Sequence, residues 1–373
     1  MAVKCRAEHV GSLLRPPALL EARAARKRGE ISDERLRERE DEAALAALDL
    51  QRSVGLQIFT DGEVRRATWM AGLLEQLGGV VPVEPPKNIW QREDGEPPEE
   101  ETGFEMVAAR DKLYRKKTLT LAEADFLLRH SPGQFKITMM SASMGPMLWH
   151  PEVSRATYPT PPDMMRDLVP LQIKEIEELL DLGVTWIQLD SLGYNRVIDP
   201  RFDATIGGLG GEEARAAYLD ATIAVDAELV RAAKRKNPDV TVGMHICRGN
   251  NRSAWMSEGG YEPIAEKLFT QVGVDRFLLE YDTERAGGFE PLRFVPKGTT
   301  VVLGLVSSKT PVLESQDDLL RRIDEASRYV DPEYLAISPQ CGFASTALGN
   351  LLTVDDQRRK LELVVSTAER AWG

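Results

Sequence analysis

Short apolar runs alternate with amphipathic helical patterns along nearly the whole chain. Residues 135–140, 184–190 and 299–306 are clear examples of such runs, each rich in β-branched or aromatic side chains. About eight runs of this kind are separated by segments with the periodicity of a helix. Strands that alternate with helices form parallel sheets, so the sequence predicts an α/β fold built from βα units.

The residues that close these runs favour a closed barrel over an open sheet. Side chains suited to chemistry follow almost every run, among them Glu63, Asp190, His245 and Glu280. In a (β/α)8 TIM barrel the carboxyl ends of all strands meet at one face, whereas an open sheet would spread them along an edge. We therefore predict one barrel domain over residues 1–373. Proline-rich and acidic sequence predicts an insertion within it near residues 78–131.

A candidate metal site follows from the barrel prediction. His245 and Cys247 end one strand, and because residues two apart on a strand face the same side, they would present nitrogen and sulfur to one point. A histidine and a cysteine near a strand end can equally be ordinary half-buried residues. Glu280 and Cys341 lie at the ends of later strands, however. One histidine, two cysteines and one carboxylate make a four-coordinate zinc set.

Such a ligand set suits sulfur chemistry. Two thiolates make zinc electron-rich and a poor activator of water, so the site is better suited to binding a further thiol. A free thiol has a pKa near ~8.5, and coordination to a metal removes its proton. The bound sulfur then becomes a nucleophile at neutral pH.

Other strand ends carry candidate binding residues, each with a simpler interpretation. Gly11 and Ser12 form a turn whose N–H groups and hydroxyl could bind a small anion, although such turns are common. Glu63 could line a polar pocket or could stand in the first turn of a helix capped by Asp61. Trp149 lies in a long loop after residues 135–140.

Taken together, these motifs resemble a known family. The sequence contains, in order, HVGS at 9–12, TDGE at 60–63, Gly145 and Pro146 with Trp149, QLD at 188–190, HIC at 245–247, Glu280 and PQCG at 339–342. This set resembles the catalytic C-terminal barrel of cobalamin-independent methionine synthase, and it is still more similar to the short single-barrel relatives. The resemblance covers nearly the whole chain.

The resemblance implies a zinc-dependent (β/α)8 barrel that transfers a methyl group to homocysteine sulfur. It implies Zn²⁺ as the cofactor, held by four residues that are also the catalytic set: His245, Cys247, Glu280 and Cys341. The amino-acid end of the thiol would lie against Gly11, Ser12, Glu63 and Asp190, and Trp149 would lie near the methyl donor. Carboxylates that face an ammonium, and a backbone turn that faces a carboxylate, are sound pairings.

Two departures from the family bear on the donor. The chain has no room for the second, N-terminal barrel of the full-length synthase, so the methyl donor could be a methyl-corrinoid rather than a methyl-folate. Asp190 is followed by Ser191, Leu192 and Gly193, where the family usually has a further acid and a proline.

Three functions are therefore compared. The first is a methyltransferase that makes methionine from homocysteine. The second is an alkyl or epoxyalkane thiol transferase on the same zinc site, acting on a sulfonate-bearing thiol; Arg15, Arg65, Arg66 and Arg248 are its candidate cationic partners. The third is a corrinoid- or ligand-binding protein with a structural zinc and no turnover.

Composition excludes several other classes. A net charge of −12 argues against nucleic-acid and anionic-membrane partners, and no apolar run reaches 18 residues. Residues 1–8 lack the hydrophobic region of a signal peptide, and three cysteines do not make a disulfide framework. We expect a cytoplasmic location; the sequence gives no indication of the oligomeric state.

Overall fold

The computed structural model describes residues 5–70, 76–84, 90–96, 106–118, 120–201 and 211–373. Its strands are β1 (Leu77–Val83), β2 (Met106–Arg115), β3 (Ile137–Met140), β4 (Trp186–Asp190), β5 (Thr241–Ile246), β6 (Arg276–Glu280), β7 (Thr300–Val306) and β8 (Leu335–Pro339). Its helices are α1 (Pro17–Lys27), α2 (Asp33–Ser53), α3 (Leu121–His130), α4 (Pro151–Ser154), α5 (Pro161–Leu182), α6 (Asn195–Ile198), α7 (Glu212–Lys236), α8 (Glu262–Gln271), α9 (Gln316–Ser327) and α10 (Val354–Trp372). Short 3₁₀ helices occupy Ala142–Leu148, Glu284–Ala286, Glu290–Phe294 and Pro332–Tyr334.

A parallel sheet forms the centre of the molecule. Its six strands follow chain order from β3 to β8, and every neighbouring pair is parallel. Strands buried on both faces read as continuous apolar runs, and β3, β4 and β6 are buried at every position. Helices connect each strand to the next, as the alternation in the sequence predicts.

Two extended segments continue this sheet on its outer edges. Ala7 pairs in parallel with Ile337 of β8, and Phe59 pairs in parallel with Phe135 just before β3. The two segments are joined by a hydrogen bond in which Leu13 N–H donates to the Gly62 carbonyl over 2.9 Å. The two extended segments and the six strands thus give eight parallel strand positions in a closed circle, which confirms the predicted (β/α)8 barrel.

The second barrel position is less regular than the sequence predicts. Residues 56–59 have the apolar composition of a strand, but only Phe59 pairs in this way. The side chain of Gln51 replaces the missing ladder bonds, because its amide accepts from Thr60 N–H over 2.9 Å and donates to the Thr60 carbonyl over 2.8 Å. Residues 61–70 form turns rather than the helix capped by Asp61 that was one interpretation of this segment; Gly62 and Glu63 both have positive φ there.

An antiparallel hairpin lies outside the parallel sheet. Strands β1 and β2 pair with each other, and Tyr158 accepts a 2.8 Å hydrogen bond from Leu113 N–H of β2. Between these strands, Gln91 exchanges two backbone hydrogen bonds with Trp255, on the loop after β5. The hairpin falls in the stretch predicted as an insertion; the bounds 78–131 and the division into domains stay predictions.

Local capping explains where several helices begin and end. The Ser32 hydroxyl accepts from Arg35 N–H at the start of α2, and α10 opens with a capping box of Thr353 and Asp356. Helix α5 runs through Pro170 and ends at Gly183, whose left-handed φ of 102° is typical of a helix terminus. Among the described residues, no helix is both long enough and apolar enough to cross a membrane.

A buried ion cluster fills the barrel below its carboxyl ends. Lys136 Nζ lies 2.9 Å from one oxygen of Glu8, and Arg276 lies 2.8 Å from the other. Burial alone would raise the pKa of Glu8, but these two cations outweigh it and lower the pKa to about 2. Lys136 also donates to Gln188 Oε1 over 2.6 Å, which ties the cluster to the strand that ends at Asp190.

Candidate metal centre

Three potential metal ligands converge at the carboxyl end of the barrel. His245 lies near the end of β5, Cys247 directly follows that strand, and Cys341 comes two residues after β8. All three are buried, and their ligand atoms lie within 4.8 Å of one another. The two sulfurs are 3.8 Å apart. The structure therefore brings together three of the four residues that the sequence predicts as a zinc set.

The geometry of this cluster fits a tetrahedral zinc ion. Two Zn–S bonds of about 2.3 Å at a tetrahedral angle would place the sulfurs roughly 3.8 Å apart, far beyond disulfide distance. His245 Nδ1 lies 3.1 Å from the Leu278 carbonyl, while its buried Nε2 has no hydrogen-bond partner among the residues that the structure describes. A backbone carbonyl on one ring nitrogen is the usual way in which a protein aims the other nitrogen at a metal.

The electrostatics of the cysteines favour a thiolate. The hydrogen bond between the two thiols is the largest influence on both, and it lowers the pKa of Cys341 well below the ordinary value. The same bond raises the pKa of Cys247. One sulfur of the pair is thus set up to carry a negative charge, as a metal ligand must.

Glu280 lies beside this cluster but is not one of the three converging residues. Its Oε2 accepts from Arg248 N–H over 2.7 Å, and its Oε1 accepts from Arg285 over 2.8 Å. Burial would raise its pKa, yet Lys309 and Arg285 bring the pKa below the ordinary value, so the carboxylate is ionised. Each oxygen keeps a second lone pair. Its role as fourth ligand stays a prediction.

Glu63 lies in a buried pocket beside the cluster. Its Oε1 accepts from the Thr138 hydroxyl over 2.7 Å, and its buried Oε2 lies 3.6 Å from Arg66 without a hydrogen bond to any described residue. Gly11 makes room for the carboxylate, because a Cβ at that position would stand only 2.3 Å from Glu63 Oε1. The backbone of Glu63 has a φ of 52°, an uncommon value for a residue other than glycine.

Asp190 connects the Glu63 pocket to the metal cluster. Its Oδ1 accepts a 2.7 Å hydrogen bond from Gln188 Nε2. Burial, together with the charge of Glu63, raises the pKa of Asp190 to about 7, although the charge of His245 acts in the opposite direction. Two buried carboxylates that repel each other form a site suited to a cation, and a primary ammonium would relieve that repulsion.

Ser12 lies against the turn that carries Cys341. The Ser12 hydroxyl accepts from Ala344 N–H over 3.3 Å, and its carbonyl accepts from Phe343 N–H over 2.8 Å. A Cβ at Gly342 would lie 2.0 Å from the Ser12 oxygen, so the close approach requires glycine. The predicted binding residues at the first, second and fourth strand positions therefore surround the metal cluster.

Trp149 follows the 3₁₀ helix that begins after β3, at the same end of the sheet. Its indole N–H donates to the Tyr158 carbonyl over 2.8 Å, and Arg155 lies over its ring, 5.9 Å from the centroid. These contacts anchor the side chain on its own loop. Contact with a donor stays a prediction.

The arginines considered for a sulfonate are already engaged. Arg15 donates to four backbone carbonyls, those of Glu63, Arg66, Ala344 and Thr346. Arg66 pairs with Glu123, and Arg65 pairs with Asp41. Arg248 donates to the Gly259 carbonyl and lies over the Tyr261 ring.

One cation near the centre was missed in the sequence. Lys309 follows β7, between the strands that carry Glu280 and Cys341; it is 4% exposed, and its Nζ has no hydrogen-bond partner among the described residues. The sequence could have indicated Lys309, because a lysine three residues beyond an apolar strand occupies the place where other strands carry functional groups.

Comparisons with known proteins agree with this site. Residues 161–369 match the family described as cobalamin-independent synthase, catalytic domain. The chain is 35% identical over 370 residues to the uncharacterised protein YxjH of Bacillus subtilis, covering 98% of this chain and 94% of that protein. It is 27% identical over 335 residues to methionine synthase of Pyrococcus abyssi, covering 89% and 84%.

The fold has a similar relative among solved structures. A Listeria monocytogenes protein, assigned provisionally as a vitamin-B12-independent methionine synthase, superposes with a TM-score of 0.72 at 29% identity, covering 99% of this chain and 98% of that one. Family, relatives and fold agree over almost the full length. The chain belongs to the family of cobalamin-independent methionine synthase catalytic domains.

Proposed function

We propose that the protein is a zinc-dependent methyltransferase that transfers a methyl group to the sulfur of homocysteine and so forms methionine. The observation that carries this proposal is the adjacency of two features. The His245, Cys247 and Cys341 cluster can hold a thiophilic metal, and the buried carboxylates of Glu63 and Asp190 lie beside it. A thiol that also carries an ammonium matches both.

The residues divide the work of binding between them. Zinc held by His245 Nε2 and the two cysteine sulfurs would supply a Lewis acid that keeps the acceptor sulfur as a thiolate. Glu63 Oε2 and Asp190 would bind the substrate ammonium, and the Ser12 turn would bind its carboxylate. Fixing both ends of the amino acid directs its sulfur toward the incoming methyl group.

The chemical step is a displacement at carbon. The acceptor sulfur forms a bond to the methyl carbon, the bond between that carbon and the donor breaks, and its electron pair stays with the donor. Burial of the cluster excludes water, which would otherwise hydrate the thiolate and weaken it as a nucleophile. The donor is a methyl-folate or a methyl-corrinoid.

The other two candidate functions are less well supported. A sulfonate-bearing thiol is less well supported because its candidate partners, Arg15, Arg65, Arg66 and Arg248, have their guanidinium groups engaged by other residues. A structural zinc is enclosed by four protein ligands, whereas three converge here and Glu280 is held by Arg248 and Arg285. An arrangement with an open fourth position favours catalysis.

The experiment is an activity screen with zinc-loaded protein. Two thiols, homocysteine and 2-mercaptoethanesulfonate, are each combined with methyl-tetrahydrofolate, methylcobalamin and a small epoxide. We expect methionine from homocysteine with at least one methyl donor. A Cys247→Ser/Cys341→Ser double variant serves as the control for background transfer.

The outcomes separate the three functions. Turnover of the sulfonate thiol with an epoxide, and none of homocysteine, would establish the second function instead. Metal binding without turnover in any combination would favour the binding protein. Either result would overturn the proposal.

A further inference from the structure

Lys309 is a buried cation at the edge of the metal centre. The side chain is 4% exposed, and its Nζ makes no hydrogen bond within the part of the chain that the structure describes. Burying an ammonium without a partner is costly, so such a group is normally paired or reserved for a ligand. The location of Lys309 indicates which ligand.

Two buried acids, Glu280 and Asp282, lie close enough to Lys309 to interact with its charge. Both oxygens of Glu280 accept hydrogen bonds, from Arg248 N–H and from Arg285. Asp282 has its closest cation in Arg285, at 3.6 Å, and no ion pair within 4.0 Å joins Lys309 to either acid among the described residues. In the part of the chain that the structure describes, Lys309 therefore interacts with these acids only at a distance, and its ammonium is left without a direct contact to an anion.

The position of Lys309 in the barrel places it near the sulfurs of Cys247 and Cys341. Strand β7 lies between β6, which ends in Glu280, and β8, which leads to Cys341. Lys309 directly follows Ser308, whose hydroxyl lies 2.7 Å from Gln340 Oε1 and 2.9 Å from the Gly342 carbonyl, on the two residues that flank Cys341. It thus lies within electrostatic reach of the whole cluster.

We propose that Lys309 is the counter-ion of the acceptor sulfur, whose ammonium stabilises the acceptor thiol as a thiolate beside Cys247 and Cys341. This inference rests on the proposed function and assigns Lys309 a positioning and electrostatic role within it. A divalent metal with two thiolates is neutral, and a third thiolate gives the centre one net negative charge next to the ionised Glu280 carboxylate. A buried charge of that size needs a neighbouring cation.

Homocysteine and methionine should respond differently to the loss of the Lys309 charge. Homocysteine binds by losing its S–H proton, whereas methionine has the same amino-acid end and a neutral thioether. Removing the charge of Lys309 should therefore weaken the thiol and spare the thioether. A merely structural lysine would affect the two ligands alike.

The test measures binding to zinc-loaded protein by calorimetry, with zinc content determined for each variant. In Lys309→Met we expect homocysteine affinity to fall roughly tenfold or more, with methionine affinity nearly unchanged. Proton release on homocysteine binding, measured in buffers of different ionisation enthalpy, should also fall. Lys309→Arg keeps the charge and should recover most of the affinity. Lys267→Met removes an exposed lysine and is the matched control.

Each of the following outcomes would contradict the role proposed for Lys309. Equal affinity of wild type and Lys309→Met for homocysteine, or equal losses for homocysteine and methionine, would overturn this inference alone. Loss of zinc from Lys309→Met would assign the residue to metal retention instead. Failure of the wild-type protein to bind homocysteine at all would remove the proposed function, and this inference with it. If Lys309→Met does not fold, Lys309→Arg binding homocysteine no better than methionine would overturn the inference.

Discussion

The sulfurs of Cys247 and Cys341 lie 3.8 Å apart, although 94 positions separate the two residues in the chain. Their strands, β5 and β8, are three steps apart in the sheet. Neighbouring strands are spaced by about 4.8 Å, so a flat sheet would hold the two strand ends roughly 14 Å apart. Strong curvature of the sheet and inward-pointing side chains close that gap. The metal centre is therefore a product of barrel closure.

Replacing either cysteine of this pair should abolish tight zinc binding. In Cys247→Ser or Cys341→Ser, a weak hydroxyl ligand replaces a thiolate in a three-residue cluster, so we expect the zinc content of the purified protein to fall to near zero. Elemental analysis measures the outcome. Cys5→Ser is the matched control, since Cys5 donates to the Ala7 carbonyl in the first barrel segment and should keep zinc. Full metal retention in either cluster variant would show the ligand assignment to be wrong.

Glu280→Gln should have a smaller effect on zinc than the cysteine variants. Its carboxylate is already held by Arg248 N–H and Arg285, and the other three ligands converge without it. We expect zinc affinity to fall by roughly 10–100-fold, the range typical of groups that support a metal site. Competition with a chelator of known affinity measures the change. Zinc loss as complete as in Cys247→Ser would instead make Glu280 an essential ligand.

Parts of this site could be predicted because they depend on local periodicity. His245 and Cys247 lie two apart on a strand, and the convergence of strand ends in a barrel linked them to Cys341. The engagement of Glu280 by Arg285 could not be predicted, because it depends on how a loop folds back. The Gln51 amide that substitutes for ladder bonds at Thr60 is a long side-chain contact of the same kind. Such contacts follow from packing and leave no pattern in the sequence.

Glu63→Gln should discriminate between thiols that differ only in the amino group. Glu63 Oε2 is buried, lies 3.6 Å from Arg66 and makes no hydrogen bond within the described residues, so its lone pairs can accept from a substrate ammonium. We expect homocysteine affinity to fall by roughly tenfold or more, and the affinity for 4-mercaptobutyrate, which lacks the amino group, to change little. Calorimetry with both thiols gives the comparison, and exposed Glu21→Gln is the control. Parallel losses for the two thiols would count against the ammonium role.

Gly11→Ala should impair the same subsite through Glu63. The new Cβ would stand 2.3 Å from Glu63 Oε1, and since that oxygen ends a side chain, the carboxylate rather than the backbone should move. We expect homocysteine binding to weaken on the order of tenfold while the urea midpoint changes little. Gly260→Ala is a matched control, because its Cβ would meet its nearest atom at 3.6 Å. Unchanged binding in Gly11→Ala would mean that the Glu63 carboxylate does not need its observed position.

Asp61 should make the folded protein less stable as the pH rises. Burial, reinforced by the charge of Glu123, raises the pKa of Asp61 from 3.8 to about 7, while its Oδ1 accepts from Glu63 N–H and its Oδ2 makes no hydrogen bond within the described ranges. Between these two values the folded state holds a proton that the unfolded chain has lost. Asp61 therefore makes its full contribution to the free energy of unfolding below about pH 4, and this contribution is lost as the pH rises through about 7.

Asp61→Asn removes this titration while keeping the oxygen that accepts from Glu63 N–H. The slope contributed by one group reaches at most about 1.4 kcal/mol per pH unit, so the variant should gain stability relative to wild type at each step from pH 5 to pH 7. Other carboxyl groups with a raised pKa, such as Asp226, are present in both proteins, so their contributions cancel in the difference. Urea unfolding of both proteins at pH 5, 6, 7 and 8 measures the difference in their stability. A difference independent of pH would mean that Asp61 ionises alike in the folded and unfolded chain, and that the pocket around it admits enough water to solvate the charge.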